Sequence, residues 1–452
     1  MAGWLSRLTQ NSFVRPVAIL MTGSSLAQLI NILLLPVLTT IFTPADFDVL
    51  AVFAGLSIIT YRVASLGLDY ALPVAETDEK AASLLIAALV GVVAVSVLVA
   101  VVTALALPMI PDQGKAAAYG IFLWLVPLST LLIGATTAFE FWHTRLKRFA
   151  LISRARLSQV VLGGAVQVSL GLAGAGADGL LIGYLVINCS ALLLFAANFL
   201  ANDRPLLRGV SIAGMTATVR EYIIFPKFTA AEILANSCSV YLPIVIISAA
   251  LAGPEAGFLL LALRLTQGPI VMLSQAVSFV YYSRALQSRR DNRLGQDTAA
   301  VLRGLVGITA GPLAALAIVA PGLIAAVLGE LWRPVGVYIS LTLPLTFLLL
   351  LSSAILTTMH THGRNAQVLY LTLFGLVMRV AAVACAAAFA TAWLVPAYAI
   401  SGAAFYGLSL AIFMRVNKIR LVEIVPRDRM FIASLAGLII VALGFNLLLP
   451  GA

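Results

Sequence analysis

Residues 81–107 read AASLLIAALVGVVAVSVLVAVVTALAL, 27 positions with no charge, no amide and no proline. A helix of that length rises about 40 Å, more than the roughly 30 Å hydrocarbon core of a bilayer. Only helices and closed barrels satisfy their backbone in lipid, and this run is continuously apolar where a barrel strand would alternate. The reading is therefore a spanning helix. Outward from it the same pattern repeats. Apolar stretches cover residues 14–40, 47–71, 81–107, 117–140, 151–174, 179–200, 223–250, 256–282, 299–328, 336–359, 366–390, 394–416 and 430–449, separated by short polar breaks. With 62% hydrophobic and 10% charged residues and a mean hydropathy of +1.06, the 452-residue chain is predicted to be an all-α polytopic membrane protein.

Lys and Arg collect in the cytoplasmic loops of membrane proteins. Counted over alternate breaks, one side holds Arg7, Arg15, Lys80, the run Arg145 to Arg156, Arg204 to Lys227, Arg284 to Arg303, Arg364, and Arg415 to Arg429. That is 23 of the 28 basic residues. The other side holds Lys115 and Arg333, and three more lie inside spans. The N-terminus is thus expected in the cytoplasm and, with a thirteenth span, the C-terminus outside. The net charge of +10 records topology. No basic soluble domain exists to carry a nucleic-acid patch, so no nucleic-acid partner is expected. The first apolar stretch is too long for a signal-peptide core and lacks a cleavage site followed by soluble sequence. Cys189, Cys238 and Cys385 fall inside spans and read as small apolar side chains. The pair His360 and His362 reads as a polar loop, and neither a metal nor a cofactor is predicted.

Spans one to six and seven to twelve look like a repeat. Ser24, Gln28 and Asn31 fall at i, i+4, i+7 on one helix face before Leu35-Pro36. Glu232, Asn236 and Ser239 do the same before Leu242-Pro243. Six is an even number, so both halves start from the cytoplasm. Parallel halves related by an axis along the membrane normal are a transporter architecture, with the site between them. The expected organisation is a six-helix bundle over 1–203, a cytoplasmic linker over 204–222, and a second six-helix bundle over 223–417. A basic loop and a thirteenth helix complete the chain over 418–452.

Ionisable residues inside spans are costly and therefore mark function. Arg62 stands about nine residues inside span two, with Asp69 two turns on along the same face. Arg264 lies in span eight, with Gln275 three turns along its face, and Arg379 lies near the middle of span eleven. Glu232 sits in span seven, Lys227 nearer its cytoplasmic mouth, and Glu140 closes span four. Lys227, Glu140 and Asp69 are close enough to the interface to snorkel. The deeper arginines could instead form structural ion pairs, and the Ser24, Gln28, Asn31 stripe could bridge packed helices. As a set, Arg62, Arg264, Arg379 and Lys227 form an excess of positive charge suited to an anionic cargo. Arg offers phosphate a planar fork of donors. Asn236, Ser239 and Gln275 extend the polar stripes.

With these residues in view, the chain resembles the polysaccharide (O-antigen-type) flippases, within the superfamily that also holds multidrug extruders and lipid II flippases. In the first half the matching stretches are Gly23-Ser24-Ser25-Leu26-Ala27-Gln28 through Leu35-Pro36, Thr43-Pro44-Ala45-Asp46-Phe47, Ile152-Ser153-Arg154-Ala155-Arg156-Leu157-Ser158-Gln159, and Gly179-Leu180-Leu181-Ile182-Gly183. In the second half they are Phe225-Pro226-Lys227-Phe228, Leu242-Pro243, Ala256-Gly257 and Leu261-Ala262-Leu263-Arg264. Asp48 departs from the Gly expected after Pro-x-x-Phe. The resemblance implies two six-helix bundles around a central cavity that opens alternately to each side. Its cargo would be a sugar repeat unit on a polyprenyl diphosphate, carried in a bacterial inner membrane for O-antigen, capsule or exopolysaccharide synthesis. A polysaccharide polymerase and other pathway proteins would be partners. Glu232 or Asp69 would carry a coupling ion if transport is driven. The alternative in the same superfamily is a cation-coupled multidrug extruder. An enzyme is not expected, because no outer loop carries a convergent acid–base set, and no phosphate-binding loop supports an ATP-driven pump.

Overall fold

The computed structural model describes residues 14–109, 120, 122–290, 293–361, 364–426, 437–438 and 442. Among these the chain is helical throughout, with no strand. It falls into two compact units, residues 1–245 and 246–452. The first unit holds α1 (Val14–Ile41), α2 (Pro44–Ala64), α3 (Asp78–Ala106), α4 (Leu125–Arg145), α5 (Phe149–Leu172), α6 (Ala177–Asn202) and the short α7 (Ile212–Glu221). It also takes α8 (Ala230–Ala250) as far as Val245. The second unit continues with α9 (Glu255–Arg290), α10 (Leu294–Leu328), α11 (Arg333–Thr361), α12 (Asn365–Phe389), α13 (Leu394–Val416) and the single turn α14 (Leu421–Ile424). Eleven segments among the described residues are long and apolar enough to cross a membrane. The 36-residue α9 covers the eighth predicted span. The protein is a multi-pass membrane protein. The expected span at 430–449 lies outside the described residues except for 437, 438 and 442.

Local chemistry sets the helix breaks. Between α1 and α2, Thr43 and Asp46 form a reciprocal capping box. The Thr43 amide donates to the Asp46 carboxylate at 2.8 Å and the Asp46 amide to the Thr43 hydroxyl at 3.3 Å. The second span ends earlier than expected. Leu66 and Gly67 take φ of 54° and 71°, which stops α2 at Ala64, and residues Leu68–Val74 form a separate 3-10 helix. Glycine is needed at 67, since a Cβ there would stand 3.2 Å from both Phe225 O and Ala230 N. Arg145 at the end of α4 ties the 3-10 segment to the start of α3, donating to Leu72 O (3.1 Å), Ala75 O (2.6 Å) and Asp78 (3.0 Å). The helix of the expected fourth span, Leu125–Arg145, runs five residues past its expected end.

The first unit packs Leu84, Leu85 and Ala88 of α3 against Trp142 of α4, Ile152 of α5 and Phe195 of α6. The buried Trp142 indole donates to Asp203 at 3.0 Å, and Arg148 binds the same carboxylate through two bonds of 2.6 and 2.7 Å. Residues 204–222 pack as part of this unit, where composition suggested a linker between the halves. Lys80 of α3 bridges Glu76 (2.9 Å) and Glu221 (2.7 Å), and the Tyr222 hydroxyl accepts from the Glu76 amide at 3.3 Å. A π-helical turn, Phe225–Thr229, then leads into α8. The second unit buries Leu302 and Leu305 of α10, Leu350 and Ile355 of α11, and Phe413 of α13.

Candidate functional site

In the first unit a polar network joins five helices. It starts at the end of α2, where early termination places Arg62 two residues from the helix end instead of deep in a continuous span. For the same reason Asp69 does not share a helical face with Arg62. Asp69 is buried on the 3-10 turn, where its carboxylate accepts from the Ser65 hydroxyl at 2.7 Å and the Tyr70 amide at 3.1 Å. Its charge is committed to holding the turn. Arg62 keeps an exposed surface, with its guanidinium 5.6 Å from the Tyr61 ring. It interacts electrostatically with the hydroxyls of Tyr61, Tyr70 and, on α8, Tyr241.

Tyr61 faces a second charge, Glu140 of α4. The Glu140 carboxylate accepts from Arg156 of α5 at 2.8 Å, and the same guanidinium donates through its other terminal nitrogen to the Ser24 hydroxyl of α1. Both charged side chains keep about a third of their surface, 38% for Arg156 and 34% for Glu140. The network therefore runs from Ser24 through Arg156 and Glu140 to Tyr61, Arg62, Tyr70 and Tyr241. Four hydroxyls, two guanidiniums and one carboxylate are thus gathered at the end of the unit that also bears Lys80, Arg145 and Arg148. Chemically this is an anion-attracting surface rimmed by hydroxyl donors.

The remaining expected residues are dispersed. Gln28 is half-buried and Asn31 exposed, so the stripe on α1 is uneven in burial. On α8, Glu232 is half-buried, Asn236 exposed and Ser239 buried. Lys227 is exposed on the π-turn, its ammonium 5.4 Å from the Phe228 ring centroid. Arg264 is half-buried on α9, and the Gln275 side chain lies outside the described residues. Arg379 of α12 retains 1% exposure, with its guanidinium 5.2 Å from the Tyr398 ring and 5.8 Å from the Tyr406 ring, both on α13. It presents no surface to a cargo in this conformation.

Sequence reasoning misses the Arg156–Glu140 pair and the tyrosines. A charge count places Arg156 among the cytoplasmic positive residues and Glu140 at the interface. The available signal is that Arg156 falls inside the fifth apolar stretch, a helical turn and more past its start.

A sequence family described as "Polysaccharide biosynthesis protein" matches residues 37–337. Among solved structures, the lipid II flippase MurJ in an inward closed conformation is similar, with TM-score 0.69, 10% identity, and coverage of 95% of this chain and 92% of that one. A multidrug-resistance MATE family transporter of the MOP superfamily, inward-facing, is similar with TM-score 0.60, 16% identity, and coverage of 88% and 95%. A MATE protein in complex with MaL6 is similar with TM-score 0.56, 16% identity, and coverage of 90% and 96%. No curated protein matches the chain in sequence.

Proposed function

Because this chain belongs to the polysaccharide biosynthesis protein family, we propose that it flips a polyprenyl-diphosphate-linked oligosaccharide from the cytoplasmic to the outer leaflet. It does so by alternating access, supplying repeat units for O-antigen, capsule or exopolysaccharide. The observation that carries this reading is Arg62, a cation that keeps an exposed surface in a membrane bundle and is faced by three tyrosine hydroxyls. A planar fork of donors suits diphosphate oxygens, and the hydroxyls suit either phosphate or the first sugar. Apolar helix faces offer a path for the prenyl tail. Lys227 on its exposed turn would attract the headgroup toward the site, and Arg264 would be a further cation for the diphosphate. Ser24, Gln28, Asn31, Asn236, Ser239 and Gln275 would meet sugar hydroxyls.

Under this reading the N-terminus is cytoplasmic, the membrane is a bacterial inner membrane, and a polymerase waits on the far side. Glu232 is the stronger candidate for ion coupling, since Asp69 is already engaged by Ser65 and Tyr70. If Glu232→Gln leaves transport and its dependence on an ion gradient unchanged, that role falls. The fold shared with MATE transporters supports a second reading, a cation-coupled extruder. Deleting the gene and measuring the polyprenyl-diphosphate glycan pool separates the two. Complete repeat units accumulating on the cytoplasmic leaflet, with loss of surface polysaccharide, are expected. A normal pool with altered drug sensitivity favours the extruder.

A further inference from the structure

The half-exposed ion pair between α4 and α5 sits beside the exposed cation of α2, and its geometry suggests more than a helix clamp. Arg156 spends one terminal nitrogen on the Ser24 hydroxyl and the other on Glu140. Glu140 lies in the field of Tyr61, whose neighbour is Arg62. The pair is accessible at the surface of the unit, with 38% and 34% of the two side chains exposed. A carboxylate on an accessible guanidinium has the charge and planar two-oxygen geometry of a phosphate edge.

We propose that Glu140 is a resident stand-in for cargo phosphate. An arriving diphosphate displaces the Glu140 carboxylate from Arg156, so that Arg62 and Arg156 hold the two phosphates together. Glu140 then retakes Arg156 when the cargo leaves. The inference rests on the reading of this chain as a carrier of diphosphate lipids and names residues for that site. It makes Arg156 a binding residue and Glu140 a release residue that touches the cargo's ligand and not the cargo. The exchange costs little at a half-exposed position, where water can take up the freed carboxylate. In a dry interior the same step would strand a buried charge. The arriving phosphate also repels Glu140, which favours its departure. Because Arg156 holds Ser24 as well, the exchange reports to α1.

The test uses the full-length protein in nanodiscs of zwitterionic lipid, with a polyprenyl diphosphate as probe. A parallel set contains phosphatidylglycerol, to separate cargo diphosphate from membrane headgroup phosphate. Glu140→Gln, which removes the competing charge, is expected to tighten probe binding about tenfold and slow its release. Arg156→Gln is expected to weaken binding about tenfold or more, as the loss of one charge-assisted contact implies. The double variant should bind like Arg156→Gln alone. Glu140→Asp keeps the charge with a shorter reach, so it should fall between wild type and Glu140→Gln and serves if the amide variant folds poorly. Equal affinity in Glu140→Gln and wild type, or weaker affinity in Glu140→Gln, makes the pair a structural clamp and overturns the exchange. Loss of probe binding to phosphatidylglycerol competition at equal concentration overturns it too, by making the site one for headgroups. If Arg62→Ala abolishes binding while the Arg156 and Glu140 variants bind normally, the exchange falls and the carrier reading stands. If wild type binds no probe, both fall.

Discussion

Arg62 and Arg379 look alike in sequence, each a single cation within a long apolar run, yet the two units treat them in opposite ways. In the first unit the helix carrying Arg62 stops two residues later, and the residue keeps an exposed surface among tyrosine hydroxyls. In the second, α12 continues ten residues past Arg379 to Phe389, and the side chain is sealed between helices at 1% exposure against two tyrosine rings. A guanidinium bedded on aromatic faces is stabilised by cation–π attraction, which strengthens as water is removed. The partner chemistry is tyrosine in both places. What differs is exposure, since ring and hydroxyl meet the cation in both places, and with it whether the charge can be offered to a ligand.

That contrast can be broken. The largest effect is expected at Arg62. Arg62→Ala should abolish transport in a complementation assay while the thermal midpoint of the purified protein stays within a few degrees of wild type. Arg62→Lys should restore only part, because a point charge lacks the fork. A large loss of stability in Arg62→Ala would mean that this cation is also structural. Arg379→Ala should behave in the reverse manner, lowering stability by about 3–5 kcal/mol, as truncations of large buried side chains do. Thermal unfolding in nanodiscs reads this directly. A stable Arg379→Ala protein without transport would sink the contrast and return Arg379 to the cargo path.

A smaller effect sharpens the same point. A Cβ on Gly402 of α13 would stand 2.0 Å from a Leu345 methyl group and 3.6 Å from the Arg379 Nε. Gly402→Ala should therefore cost about 1–3 kcal/mol of overpacking, with binding of a polyprenyl diphosphate retained. Unchanged stability would show that Leu345 can yield and that Arg379 is less tightly sealed than the contrast requires. The smallest effect concerns the charged strap at Lys80. The Lys80 ammonium holds the Glu76 carboxyl below its ordinary value. A group depressed in the folded protein contributes stability that is present above its unfolded value and lost as pH falls. The strap should thus loosen below about pH 4, and sooner at high salt, since exposed pairs are screened. Hydrogen exchange over residues 212–222 would track it, and Lys80→Met should remove the pH dependence.

Much of the fold was legible because lipid imposes a length and a composition on every span. The capping box at Thr43 and Asp46 has its signal in the sequence, Thr-Pro-Ala-Asp at a break in hydropathy, although that stretch enters the sequence reading only as part of the family resemblance. The end of α2 was not. Leu68-Asp69-Tyr70-Ala71-Leu72 continues the apolar run, so Gly67 and its left-handed turn were absorbed into a span. At the site, single residues were found and their partners were not. Arg62 stood out by charge alone, whereas its pairing with Tyr241 and the reach of Arg156 to Glu140 and Ser24 are tertiary. The same rule that oriented the chain hid Arg156, since a positive-inside count treats every Arg near a loop as topology.

The strap at Lys80 also bears on how the protein is made. Its two partners, Glu76 and Glu221, lie on either side of it in sequence, and the second is 141 residues downstream. The surface over the start of α3 is therefore open while the next three spanning helices are synthesised. It closes only when residues 221 and 222 have left the ribosome and stayed on the side where Lys80 waits. A nascent chain stopped at residue 203 would carry six helices and lack the Glu221 contact that covers this surface.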